Sequence, residues 1–427
     1  MTRVVTYAAL AAVTLGTTLL VSPLQAHGQP IQSVLAKVQA ERAPLIDTMR
    51  QLVSIESGSR DFVGLTRIAT VIADRLRDLG GEVELVEPAD IYHMHDTPER
   101  IGNSVLARFR GTGTMRILLL AHMDTVYLPG MLEQQPFRLD GDRAYGLGIA
   151  DDKHGVAVIL HTLGVLEALD FDDYGLLTVL INADEEVSSA GSRSIITALG
   201  REHDAVFSCE GSSGNRVRLR TSGIGAFNLV VRGRAAHAGG APEEGRNALY
   251  ELAHQIMQTR DLSDPEIGLK MNWTVGTGGN TRNVIPAEAR ATADVRVQRV
   301  EDYDRIETEV RRRMGNQLIP DTEIDLEFER RRPPLLVNQA SRRLAGHAQE
   351  VYRELGLRLT VDERASGGGT DAAFAALETD APVIEGMGLQ GFGAHSNQAE
   401  YVNLESIEPR LYLLTRLIMD LSLGRHR

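Results

Sequence analysis

Apolar residues recur at helical spacing across 32–79, through Leu45, Met49 and Leu52 and then Ile68, Ile72 and Leu76, and predict helices there. Farther along, unbroken apolar runs at 116–121 and 176–181 predict strands buried on both faces, as in a parallel sheet. A crossover helix is predicted between them over 154–169, and another short strand over 204–208. Strands alternating with helices in this way predict a wound α/β sheet.

The pattern changes near Thr221. Strands are predicted over 226–231, 269–275, 291–297 and 324–329, with helices over 247–259 and 301–314. That β-α-β-β-α-β order is the signature of a small ferredoxin-like α+β domain. Wound α/β character resumes after Pro334 and ends in a helix over 410–423. The expected organisation is a catalytic domain in two parts, 27–221 and 334–427, interrupted by an inserted domain over 222–333. Residues 1–26 stand apart. Arg3 precedes an apolar run over 4–21, and small Ala26 offers a cleavage point, so a signal peptide and export to the periplasm or beyond are expected. The competing reading is a membrane anchor, against which the Ala, Thr and Gly content of the run speaks.

A chain of 427 residues exceeds what one core usually carries, which fits two domains. The formal charge of −13 disfavours a nucleic-acid-binding face, though a local arginine cluster could still receive an anionic substrate. Cys209 is the one cysteine, so an internal disulfide and a cysteine-rich metal site are both excluded. Any metal must be held by His, Asp and Glu.

Candidates of those types cluster at predicted strand ends, where open α/β sheets place their sites. His122 and Asp124 follow the run ending at Ala121. A glycine-rich approach, 145–150, leads to Asp151-Asp152-Lys153 at a helix start, where capping explains one carboxylate better than two. Asp184-Glu185-Glu186 and Cys209-Glu210 follow two further strands, and His395 lies in the resumed α/β part. Each alone reads equally well as loop polarity. Together, two histidines and three or four carboxylates form a donor set that suits zinc without thiolate. Of two adjacent glutamates, one can ligate metal while its neighbour handles protons.

The stretches Ala121-His122-Met123-Asp124-Thr125, Gly148-Ile149-Ala150-Asp151-Asp152-Lys153, Asp184-Glu185-Glu186, Ala236-His237-Ala238-Gly239, Asn283-Val284-Ile285-Pro286, Gly367-Gly368-Gly369-Thr370-Asp371 and Ala399-Glu400-Tyr401-Val402 extend this picture. In them the chain resembles metallopeptidase family M20, in particular its glutamate carboxypeptidase branch, collinearly over the mature length. The resemblance implies a zinc-peptidase-like catalytic domain with a lid and dimerisation domain, and two Zn2+ per subunit. Asp151 would be shared by both ions, His122 and Glu210 would complete one site, and Glu186 and His395 the other. Glu185 would be the general base, Asp124 would orient His122, and the peptide bond after Asp151 would be cis. His237 would steady the oxyanion in a partner subunit's site. Arg296 and Asn283 would grip the substrate's terminal carboxylate, with Arg332 and Arg216 as further candidates.

The resemblance thus implies a homodimeric hydrolase that releases a C-terminal amino acid, glutamate by preference, from folate-like, N-acyl or peptidyl substrates carrying a free carboxylate. An aminoacylase of the same family is the alternative; a non-catalytic periplasmic binding protein and a metallophosphatase fit less well. His154 departs from the family, which has glycine there. Glu210 is followed by Gly-Ser-Ser where the family has a proline-containing segment.

Overall fold

The apolar runs become strands because only a site sandwiched between helical layers accepts hydrophobic side chains on both faces. In the computed structural model, which describes residues 29–365, 367–396 and 399–426, every residue of strand Leu176–Asn182 is buried, and six of seven in Arg116–His122. The expected leader, 1–26, lies outside the described residues. Among those described, no helix is long and apolar enough to cross a membrane.

The main sheet has eight strands in the order Glu82–Val86, Ser104–Arg110, Leu176–Asn182, Arg116–His122, Ala205–Ser208, Val383–Glu385, Arg216–Arg218, Thr360–Asp362. Its centre is parallel as expected. One edge, Glu82–Val86 and Ser104–Arg110, runs antiparallel. The register of the central strands positions the site. His122 pairs with Asn182, and Leu120 with Ser208, so three strands end at nearly one level and release their loops side by side.

Helices Gln32–Val53, His154–Ala168 and Ile407–Ser422 pack together, and their apolar residues join the core of the sheet. The helical spacing over 32–79 resolves into two helices, Gln32–Val53 and Phe62–Asp78. The second begins where the Asp61 carboxylate accepts a hydrogen bond from the Gly64 N–H.

The segment between 223 and 332 forms its own antiparallel sheet, in the order Lys270–Gly278, Glu288–Val297, Gly223–Arg232, Glu323–Arg332. Helices Ala248–Thr259 and Glu301–Met314 cover one face around a separate core that includes Phe227, Leu229, Val295, Tyr303 and Val310. Strand Glu288–Val297 alternates: Ala291, Ala293 and Val295 are buried beneath the helices, while Thr292, Asp294 and Arg296 face the other way. This is the ferredoxin-like lid on a wound catalytic domain.

A third sheet is not legible in the hydrophobic pattern. Strands of two or three residues, Arg138–Asp140, Arg143–Tyr145, Tyr401–Asn403 and Gly391–Phe392, bring Glu400 against the glycine-rich approach to Asp151.

Candidate metal centre

The side-by-side strand ends deliver their side chains to one place. His122 Nε2 lies 3.0 Å from Asp151 Oδ1 and 3.5 Å from Glu210 Oε1. The other oxygen, Asp151 Oδ2, lies 3.1 Å from His395 Nε2, which is 3.2 Å from Glu186 Oε2. Two donor clusters result, His122/Asp151/Glu210 and Asp151/Glu186/His395, each with its donor atoms within 4.8 Å of one another. They share Asp151.

Surrounding groups fix these donors. Asp124, fully buried, accepts from the Glu185 N–H at 3.0 Å, the Glu186 N–H at 3.1 Å and the Ser59 hydroxyl at 2.7 Å. Its Oδ1 is 3.3 Å from His122 Nδ1, and that nitrogen also lies 3.1 Å from the Asp124 carbonyl. Asp124 therefore ties the two glutamates to the histidine. The turn carrying Asp151 is held by Glu400, whose carboxylate accepts from the N–H of Gly148 (3.0 Å) and Ala150 (2.7 Å) and from the Tyr127 hydroxyl. Lys153 Nζ anchors the far end of this turn on the Ile55 carbonyl at 2.7 Å. The Asp151–Asp152 peptide bond is cis.

The charge balance is lopsided. Burial pushes the carboxyls of Glu185, Glu186 and Glu210 above their usual range. Burial also disfavours the charged form of His122, yet Glu210, Asp124 and Asp151 raise its pKa well above normal. Hydrogen bonds to Asp151 and Glu186 raise His395 to about 10. Asp151 resists the upward push of burial and falls below the carboxylate range, through hydrogen bonds from both histidines. Glu186 Oε1 is buried with no hydrogen-bond partner, as expected of an atom shaped to meet a cation. Imidazole and carboxylate donors of this number fit zinc.

These donors open into a cleft of about 610 Å³, lined by Asp151, Glu185, Glu186, Glu210 and His395 on one side and by Thr274, Thr292, Asp294 and Arg296 of the lid on the other. Arg296 is held by Asp294 (2.7 Å) and by the Gly367 carbonyl (2.8 Å). Arg332 also lines the cleft, paired with Glu185. Arg216, in contrast, pairs with Asp362 at 3.2 Å and is not among the lining residues. Asn283 and His237 lie on an exposed stretch of the lid outside this cleft. His237 Nδ1 accepts from the N–H groups of Gly239 (3.2 Å) and Gly240 (3.0 Å), which leaves Nε2 as the protonated nitrogen.

The profile of peptidase family M20/M25/M40 matches residues 118–420. Carboxypeptidase G2 of Pseudomonas sp. (strain RS-16) is 41% identical over 403 residues, covering 94% of this chain and 95% of that protein. The chain belongs to peptidase family M20. Another relative of this M20 chain is the succinyl-diaminopimelate desuccinylase of Methylobacterium radiotolerans, 28% identical over 76% of the chain and 84% of that protein. Among solved structures, a Staphylococcus aureus tripeptidase shares the fold at a TM-score of 0.72 and 22% identity, covering 90% of this chain and 99% of that one. M20 peptidases are metal-dependent, and none of the candidate donors or the candidate base is missing here, which separates this chain from a binding protein that has lost its chemistry.

Several supporting residues carry no signal of their role in the sequence. Glu400 lies in one of the matching stretches, but its hold on the turn at 148–150 can be read only once the third sheet is known. Asp184 turns away from the donors to the Gly191 N–H (2.6 Å) and the Ser192 hydroxyl. His154 Nδ1 sits 2.9 Å from Asp152 Oδ1, fully buried, and its ring packs under the loop carrying Glu210, where a Cβ on Gly211 would lie 3.0 Å from Nε2. The departure at 154 is thus a packing element beneath the Glu210 loop.

Proposed function

We propose that this chain is a di-zinc carboxypeptidase that releases C-terminal glutamate from folate-like, N-acyl or peptidyl substrates. The observation that carries the reading is a pair of histidine–carboxylate clusters joined through Asp151, with the Glu185 carboxyl beside them in a cleft roofed by Arg296. His122, Asp151 and Glu210 would hold one ion and Asp151, Glu186 and His395 the other. The two ions would supply Lewis-acid polarisation of the scissile carbonyl and a lowered pKa for the attacking water.

The chain's own residues do the rest. Glu185, free of metal ligation, takes the proton from the attacking water and returns it to the leaving amine. Burial raises its proton affinity, which suits a group that must both accept and donate. Arg296 receives the terminal carboxylate through parallel hydrogen bonds. His237, exposed on the lid, donates to the oxyanion of a partner subunit's site in a homodimer, and Asn283, on the segment bridged to it through Val284, reaches the same substrate. Residues 222–333 act as the lid, and the leader directs the protein to the periplasm or out of the cell.

Support for a carboxypeptidase comes from the 41% relative, the glutamate preference rests on the resemblance to the glutamate carboxypeptidase branch, and the test is a panel of N-benzoyl-amino acids differing only in the residue released. A strong preference for glutamate is expected; equal turnover across the panel overturns it. Deacylation of N-acyl amino acids is the second reading, favoured by the relative named as a desuccinylase. Faster turnover with a small aliphatic acyl group than with an aryl or peptidyl one selects it.

A further inference from the structure

The stretch Gly367-Gly368-Gly369-Thr370-Asp371 has no part in the chemistry above, yet it sits against the base. Asp371 is buried, and its Oδ1 accepts from the Ser189 hydroxyl and, at 2.9 Å, from Arg332 Nη1. Its Oδ2 accepts from Asn182 Nδ2 at 2.8 Å. Arg332 Nη2 lies 2.8 Å from Glu185 Oε1 and also donates to the Glu185 carbonyl. The Arg332 side chain is only 4% exposed, and both terminal nitrogens are engaged by protein oxygens. Arg296 is also hydrogen-bonded but keeps 27% of its side chain exposed, so the deeper burial of Arg332 is what makes it poorly placed to receive a substrate carboxylate, the role that the family resemblance offered for it.

Its position in the chain gives the contact meaning. Arg332 is the last residue of lid strand Glu323–Arg332, and the register against Gly223–Arg232 shifts between Arg330 and Arg332. An extra residue at a bulge re-aims the side chains beyond it. Arg331 then pairs with Asp96 and Glu329, while Arg332 turns into the catalytic domain. The glycine loop makes room: a Cβ on Gly369 would lie 2.5 Å from Arg332 Cδ. One lid side chain thus runs over a glycine, between two buried carboxylates, to the candidate base.

We infer that Arg332 and Asp371 are positioning residues that hold the Glu185 carboxylate in its working orientation, so that the seating of the lid sets the alignment of the base. This rests on Glu185 being that base. A base misplaced by about 1 Å loses on the order of 10²-fold in rate.

The test measures kcat, KM and bound metal for Arg332→Met, Arg332→Ala, Arg332→Lys, Asp371→Asn and Gly369→Ala. All but the lysine variant are expected to lose about 10²-fold in kcat with KM changed less than about threefold and metal content kept, the split expected when an interaction specific to the transition state is removed. Arg332→Lys retains more activity than Arg332→Met, and guanidinium ion below denaturing concentrations restores part of the turnover of Arg332→Ala. Gly369→Ala removes no functional group, so it carries the test where Asp371→Asn fails to fold. A rise in KM with kcat intact overturns the inference in favour of substrate contact. Metal loss, or unchanged kinetics in Arg332→Met, overturns it as well. Glu185→Gln keeps the two questions apart: high turnover there removes the base itself, whatever Arg332 does.

Discussion

At the residue scale, the site is a problem in charge compensation. Asp124, Asp151, Glu185, Glu186 and Glu210 crowd around buried His122 and the more exposed His395, so carboxylates outnumber the cationic groups that could balance them. Because His395 is raised to about 10 and His122 well above its usual value, imidazoles that ligate an ion must first give up a proton. Zinc added to chelator-stripped protein should release protons, with affinity falling as pH falls; calorimetry in buffers of different ionisation enthalpy reads this directly. Removing metal with a chelator should abolish turnover and readdition restore it. Glu185→Ala should keep full metal content and lose about 10³-fold or more in kcat, because proton transfer goes and ligation stays. A zinc-depleted Glu185→Ala would show that its carboxylate is a ligand. The donors themselves are readable from the chain, since His, Asp and Glu at the ends of apolar runs form a pattern. The groups that fix them are not. Glu400 and Asp371 reach their partners across 250 and 189 residues of chain respectively, and no local period reports such a pairing.

At the scale of elements, length decides what can be read. The seven-residue strands Arg116–His122 and Leu176–Asn182 are long, apolar and bounded, and the lid strands alternate clearly. Strands of two or three residues leave no period to detect, so the sheet that seats Glu400 escapes a reading of the pattern. The antiparallel edge is equally hidden, because a strand's direction depends on how its connection runs and not on its composition. Leu119 is fully buried at the centre of the main sheet, paired with Val179 on one side and Phe207 on the other. Leu119→Ala should cost about 2–5 kcal/mol by chemical denaturation. The lid sheet should keep its own ordering, since its core is separate.

At the scale of the whole molecule, the proposed catalysis draws on residues from both the lid and the catalytic domain. Arg296 reaches the cleft from the lid, and loop residue His95 donates its N–H to lid Glu329 at 2.6 Å. A product analogue should therefore draw the domains together, visible as a smaller radius of gyration in solution scattering. If His237 serves a partner's site, mixing inactive Glu185→Ala with inactive His237→Ala protein should regain activity, because a hybrid dimer contains one complete centre. Mixtures as inactive as their components would place the His237 role within its own subunit or nowhere.

The sharing of Asp151 makes the two halves of the site unequal partners in a single failure. Loss of Glu210 or His395 would strip one half and leave the other its full set of protein donors. Loss of Asp151 would take a donor from both at once, so Asp151→Ala should show no intermediate loaded with one ion, only a common weakening of the pair. The stoichiometry seen by mass spectrometry across these three variants would reveal whether the halves fill as neighbours or as one unit.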